Sequence, residues 1–258
     1  MSRFKTVFLR HGESEWTLDN LFCGWVDVGL TEKGKNEAHQ AASSLITENL
    51  KFDIVYTSLL KRANQTLDII LREIRQPDLP VKQAWQLNER HYGALTGYNK
   101  ADMAAKYGKE QVNIWRRSFD VLPPPMEPDH KYYTTIVNNP KFQFIKDKIP
   151  KTESLKTTMQ RVIPFWEENI VPDVKSGKRV LVIGHGTSLR SLVKHLSRLS
   201  DEAIMKLNLP TGIPFVYEFG EDFKPIVCMR FLSDEETVKK AMDKVASIGE
   251  TSAQKRNE

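Results

Sequence analysis

Short apolar runs alternate along this chain with segments whose apolar residues recur at helical spacing. Phe4 to Leu9 has the length and apolar content of a buried strand. Leu30-Thr31 opens a helical stretch reaching about Asn49, with Thr31 as N-cap and Ala38, Ala41, Ala42 and Leu45 on one face. Phe52 to Ser58 reads as a second strand. Ser58 then caps a helix whose buried side carries Leu60, Ala63, Leu67, Ile70 and Ile74, and Pro77 and Pro80 end it. Val81 to Leu87 is a third strand candidate. From about 90 to 150 the pattern is irregular and includes Pro123-Pro124-Pro125, a stiff extended connector. This region reads as an insertion that covers a ligand site. Lys156 to Ile170 is helical in pattern, with a kink or split expected at Pro164. Val180 to Ile183 is a fourth strand, followed by a helix from Ser188 to Leu199. Phe215 to Phe219 and Ile226 to Leu232 form a closing hairpin around Gly220-Glu221-Asp222. Ser233 to Glu236 reads as a capping box, for a helix that buries Val238, Ala241, Met242, Val245 and Ile248. A polar, mobile tail is expected over 249–258. Strand followed by cap and helix predicts an α/β fold with a parallel or mixed sheet.

Composition narrows the class. The chain has 258 residues, 40% hydrophobic and 28% charged, as in globular proteins. No apolar run approaches the ~20 residues needed to span a bilayer, so no membrane association is expected. Met1-Ser2-Arg3-Phe4-Lys5 runs straight into the first strand, which makes a cytoplasmic location the default expectation. Two cysteines, Cys23 and Cys228, leave no disulfide framework and no four-cysteine zinc site. The net charge of +5 is modest and forms no basic stripe, so acidic small molecules fit better than nucleic acid.

The candidate chemistry sits at two strand ends. Val7-Phe8-Leu9-Arg10-His11-Gly12 places a histidine just past a strand, where open α/β sheets keep their ligands. Lys178 to Thr187 repeats the arrangement and ends in Gly184-His185-Gly186. If the two strands are parallel neighbours, His11 and His185 meet at one sheet edge. One imidazole then serves as nucleophile while the other, when protonated, stabilises developing negative charge. Arg10 adds a guanidinium suited to phosphate. Arg62, in the first turns of a helix, is either a solvated charge or a second phosphate grip. Glu89, in Asn88-Glu89-Arg90-His91-Tyr92-Gly93, is either a general acid/base or a loop ion pair with Arg90. Arg116 and Arg117, beside Trp115, suit a carboxylate or phosphate, or simply form a solvated helix face. His39 and His195 read as helix-surface residues and His130 as a loop residue. A zinc site at His11 and His185 lacks further ligands and would be repelled by Arg10, so no metal is expected.

These motifs together resemble the histidine phosphatase superfamily: Leu9 to Ser14, Arg62, Leu87 to Gly93 and Gly184-His185-Gly186. Trp25-Val26-Asp27, Trp115 to Ser118, Pro123 to Pro125, Glu153 to Lys156 and Leu209 to Pro214 extend the likeness to its cofactor-dependent phosphoglycerate mutase branch, over essentially the whole chain. The resemblance implies a three-layer α/β sandwich with a mostly parallel central sheet, as one catalytic domain over 1–248. It implies interconversion of 3-phosphoglycerate and 2-phosphoglycerate, in glycolysis and gluconeogenesis, through 2,3-bisphosphoglycerate, which also primes the enzyme by phosphorylating His11. Arg10, Arg62 and His185 would hold the phosphoryl group, and Glu89 would move protons. Ser14, Thr17, Cys23, Gly24, Arg90, Tyr92, Lys100, Arg116, Arg117, Gly186 and Thr187 would bind substrate. A dimer or tetramer is usual in the family, and a homodimer is expected here; separately, the need to keep water from a phosphohistidine suggests a lid role for the proline-rich insertion and the basic tail (Lys255, Arg256). The chain departs from the family's usual pattern at Thr17 and Thr187, where asparagine is usual, at Gln86, where arginine is common, and at Cys23, where threonine is frequent. The alternatives are a bisphosphoglycerate mutase or phosphatase and a weakly active regulatory paralogue.

Overall fold

A computed structural model describes residues 2–247. The chain opens with β1 (Phe4–Arg10), a short turn of helix α1 (Glu15–Leu18), α2 (Glu32–Thr47), β2 (Ile54–Thr57), α3 (Lys61–Glu73) and β3 (Val81–Gln83). Then come α4 (Lys100–Tyr107), α5 (Lys109–Arg117), α6 (Tyr133–Val137), α7 (Leu155–Phe165) and α8 (Val171–Lys175). It closes with β4 (Val180–Gly184), α9 (Gly186–Ser197), α10 (Asp201–Lys206), β5 (Phe215–Phe219), β6 (Pro225–Phe231) and α11 (Glu235–Ala246).

The six strands form one sheet in the order β3-β2-β4-β1-β5-β6. The first four in that order run parallel, and β5 and β6 are antiparallel additions. The two central strands are apolar on both faces because both faces are covered. Val7 and Leu9 of β1, with Leu181 and Ile183 of β4, pack under α2 and α3. Phe8, Val180 and Val182 point the other way, toward Trp166, Leu189 and Leu192 of the α7–α9 layer. Period-two alternation thus separates two cores and gives three layers.

Thr31 caps α2, accepting from the Gly34 N–H, and Ala38, Ala41, Ala42 and Leu45 are its buried face. Pro164 lies within the helical run, which widens to a π-type turn over Trp166–Ile170 before α8 continues it.

Four local expectations need correction. Ser58 does not cap α3: its Oγ pairs with His185, and the first α3 N–H goes to the Asp27 carboxylate instead. The third strand stops at Gln83 and turns into a 3-10 helix over Trp85–Leu87, because Arg161 draws the carbonyls of Gln86, Asn88 and Glu89 away from the ladder. Asp234, not Ser233, caps α11 by accepting from Thr237 N–H. That helix has no fully buried residue, Val238, Met242 and Val245 being half-buried. Ile248 and the tail over 249–258 lie outside the described residues.

One close approach fixes the loop after β1. A Cβ at Gly12 would sit 2.1 Å from the Gly34 carbonyl oxygen, and one at Gly34 would sit 2.0 Å from that of Glu13. Backbone meets backbone there, so space rather than φ demands glycine. An ordinary Gly to Ala change inside a helix stabilises by about 1 kcal/mol. Gly34→Ala is expected to reverse that sign and destabilise by about 3 kcal/mol, the upper range for overpacking, read as a lowered urea midpoint.

Candidate active site

The site starts from strand register. Leu9 pairs with Ile183 and Arg10 with Gly184, without stagger, and His11 N–H continues the ladder to the Gly184 carbonyl at 3.1 Å. His11 and His185 are the next residues on their chains. Their rings lie 4.8 Å apart, nearly edge to face, and both are buried.

Hydrogen bonds set the His11 tautomer. Nδ1 lies 2.7 Å from the Gly12 carbonyl, which only accepts, so Nδ1 carries the proton. Nε2 keeps its lone pair and accepts from Arg62 Nε at 3.3 Å. Arg62 is therefore no solvated surface charge. It is 1% exposed, and its other nitrogens donate to the carbonyls of Gly24 and Val26. Burial, then Arg62 and Arg10, push the His11 pKa well below its ordinary value. Burial, Arg62, His11 and Arg10 do the same to His185, whose Nε2 sits 2.7 Å from Ser58 Oγ. Both rings are neutral at pH 7. A protonated His185 requires an anion beside it.

Glu89 sits where the 3-10 turn after β3 faces the N-terminus of α9. Its Oε1 accepts from Thr187 N–H at 3.0 Å and from Arg90 N–H at 2.8 Å. The helix N-terminus thus holds a carboxylate, as its dipole favours. Glu89 pairs with the Arg90 backbone in this way. The Arg90 guanidinium instead donates to the Trp115 carbonyl and lies over the Tyr92 ring. The Thr187 N–H is thereby engaged by Glu89.

Behind this loop lies a buried ion pair absent from the sequence reading. Arg161 Nε donates to Glu153 Oε1 at 2.7 Å, and its Nη groups donate to the carbonyls of Gln86, Asn88 and Glu89. Glu153 Oε2 in turn accepts from His91 N–H at 2.7 Å. Burial works against ionisation of Glu153, but Arg161 and the His91 N–H outweigh it and hold the carboxyl below its ordinary range.

His11 and Glu89 border a cleft that is open to solvent. Arg10, His11, Ser14, Thr17, Cys23, Arg62, Glu89, Tyr92, Lys100, Arg116, Arg117, Gly186 and Thr187 line it. His185, Gly24 and Arg90 sit behind that wall and reach it through His11, Arg62 and Tyr92. Ser14 and Thr17 share a hydroxyl contact of 3.0 Å, and burial raises the Cys23 thiol pKa. Arg10 Nη1 donates to the Leu209 carbonyl and Lys100 Nζ to that of Leu21, both at 2.7 Å. Burial, then Arg116, Arg10 and Arg117, bring the Lys100 pKa down to about 7. The sequence reading missed Leu21, Arg190, Leu207, Asn208, Leu209 and Val245 as lining residues. The available signal was Arg190's place one helical turn after Gly186, on the same face. Among the described residues no group of three or more His, Cys, Asp or Glu is placed to hold a metal ion.

This arrangement supplies an imidazole nucleophile, a second imidazole beside it, a carboxylate for proton transfer and a wall of cations. It suits transfer of a phosphoryl group between oxygen and nitrogen.

Comparison with known proteins agrees. The model of the histidine phosphatase superfamily (branch 1) matches residues 6–136 and 129–230. A 2,3-bisphosphoglycerate-dependent phosphoglycerate mutase of Borrelia garinii subsp. bavariensis is 53% identical over 247 residues, covering 95% of this chain and 98% of that one. The protein of the same name in Borreliella burgdorferi is 52% identical over the same shares. The crystal structure of phosphoglycerate mutase from Bacillus anthracis str. Sterne shares the fold, with a TM-score of 0.65 at 20% identity over 96% of this chain and 98% of that one.

Two outcomes are expected. An anion raises the pKa of the amine beside it, so binding sulfate at pH 8 should draw roughly half a proton or more onto Lys100. Calorimetry in buffers of differing ionisation enthalpy measures the total uptake, and Lys100→Met should remove the Lys100 share and leave the part that His185 takes up. Glu153→Leu leaves Arg161 buried without its counter-ion and should cost about 3–5 kcal/mol in chemical denaturation.

Proposed function

The chain belongs to the histidine phosphatase superfamily, and on that premise we propose that it interconverts 3-phosphoglycerate and 2-phosphoglycerate through 2,3-bisphosphoglycerate. The observation that carries this reading is the pair of imidazoles 4.8 Å apart beside the guanidiniums of Arg10 and Arg62.

In the proposed mechanism His11 Nε2 attacks phosphorus in line, the N–P bond forms, and the bond from phosphorus to the departing sugar-acid oxygen breaks. Glu89 gives that oxygen its proton. The carboxylate so formed then takes the proton of the free hydroxyl of 3-phosphoglycerate, whose oxygen attacks the phosphohistidine; the N–P bond breaks, 2,3-bisphosphoglycerate forms, and return of its other phosphate to His11, with the proton going back from Glu89, releases 2-phosphoglycerate. Arg10, Arg62 and His185 hold the three equatorial oxygens. His185, neutral beforehand, gains a proton as negative charge arrives next to it. Lys100, Arg116 and Arg117, with Tyr92, Arg90 and the Ser14–Thr17 hydroxyls, take the carboxylate and the phosphate that is not transferred. Cys23, Gly24, Gly186 and Thr187 complete the wall.

The bisphosphate primer supplies the phosphoryl group that first loads His11. The residues present fit so anionic a molecule: Arg10, Arg62, Lys100, Arg116 and Arg117 converge on the cleft. Burying several negative charges is tolerable only against matched cations. Exclusion of water then decides between transfer and hydrolysis of the phosphohistidine. A cytoplasmic homodimer belongs to the same proposal, as does the absence of membrane and nucleic-acid partners.

Mixing the protein with 2,3-bisphosphoglycerate should add one phosphoryl mass to the peptide containing His11, and a coupled assay should show 2-phosphoglycerate forming from 3-phosphoglycerate. His11→Asn should lower that rate by at least about 10⁴-fold, since the covalent route is then closed. An unmodified His11 in an active protein would refute the mechanism.

A further inference from the structure

Among the described charged residues lining the cleft, Arg190 has no assigned role. It lies in α9 one turn beyond Gly186, about 6 Å along the helix axis. It lines the cleft but is only 6% exposed. One nitrogen, Nη2, donates to the carbonyl of Ile204 in α10 at 2.6 Å. Among the described residues no hydrogen-bond partner meets its buried Nε–H. Leaving a donor on a charged group unmet in the interior costs more than leaving a neutral one.

The surroundings make this more costly still. The groups that act on Arg190 after burial itself are Arg117, Tyr92, Arg90 and Glu89, and its pKa falls to about 10. Two of the four are cations. The one carboxylate, Glu89, already accepts two backbone N–H groups through Oε1. By contrast, the charges acting on His11 are Arg62 and Arg10. Arg190 therefore shares its surroundings with Arg117, Arg90 and Tyr92. Asn208, another lining residue, has a buried Oδ1 that also lacks a partner among the described residues.

We propose that Arg190 is a further anion-binding residue, whose unmet Nε–H works with Arg117 to grip the phosphate or carboxylate that stays in place while His11 handles the other phosphate. The proposal rests on the phosphoglycerate reading for the identity of the ligand. It explains why a guanidinium is kept in a cationic interior at a donor cost: the missing acceptor arrives with substrate. Arg190 thereby favours ligands with two well-separated anionic groups over single phosphates.

The test compares two anions in a His11→Asn background, where no phosphoryl transfer consumes the ligand. Adding Arg190→Met should weaken 2,3-bisphosphoglycerate by about tenfold or more, the usual loss for a hydrogen bond to a charged group. Orthophosphate, held by Arg10 and Arg62, should change by less than about twofold. With His11 intact, Arg190→Met should raise KM for the bisphosphate and leave kcat of priming within about threefold. Arg190→Lys keeps a cation without the fork, so it should fall between the two and serves alone if the Met variant does not fold. Unchanged bisphosphate affinity, or equal losses for both anions, would overturn the proposal and leave Arg190 as a tether for α10. If the parent binds bisphosphate but makes no 2-phosphoglycerate, the mutase reading falls and the Arg190 comparison still stands.

Discussion

The unstaggered parallel pairing of β1 with β4 is the constraint on which the site depends. A one-residue slip would turn every side chain of β1 to the opposite face. It would exchange Val7 and Leu9 with Phe8 between the two cores and carry His11 away from His185. The register is therefore fixed by hydrophobic burial on both faces of the sheet, and the imidazole pair follows from it. Gly12 and Gly34 then hold the loop beyond His11 against α2 with no room for a methyl group.

A second regularity concerns how the buried cations are held. Arg62 donates to Gly24 and Val26, Arg10 to Leu209, Lys100 to Leu21, Arg90 to Trp115 and Arg190 to Ile204, and in each case the partner is a backbone carbonyl. A carbonyl satisfies a donor and fixes its direction without neutralising its charge. The cleft therefore keeps its positive potential for a ligand, and after burial itself that potential is what lowers the pKa values of His11, His185 and Lys100. Arg161 is built differently. Its charge is cancelled by Glu153, and it serves to hold the loop that carries Glu89. Arg161, paired with a carboxylate, does structural work, whereas Arg10, Arg62, Lys100 and Arg190, held through carbonyls without a carboxylate, face the cleft.

Much of this was legible in the chain. The strand runs, the α2 face of Ala38, Ala41, Ala42 and Leu45, and the closing hairpin all follow from local periodicity. The repeated strand-His-Gly unit pointed to a shared edge, and the family resemblance named the residues that gather there. The failures are equally physical. Ser58 looked like a cap because capping is a local preference, but a buried imidazole competed for its hydroxyl. The strand after Val81 looked longer than it is because its apolar content is real, and Arg161, more than 70 residues on, takes its carbonyls. The apolar stripe of α11 is present, yet it reaches only partial burial beside β6 and the mouth of the cleft.

Sequence alone determined what could be written in short-range terms: the periodicity of each element, the apolar strands that demand a covered sheet, and the residue types at the strand ends. Tertiary structure alone decided which carbonyl meets which guanidinium, which tautomer His11 adopts and why, among the described residues, the Arg190 Nε–H lacks an acceptor. Those outcomes depend on atoms brought within 3 Å from distant parts of the chain, and a hydrogen bond is sensitive to fractions of an ångström that no residue pattern encodes.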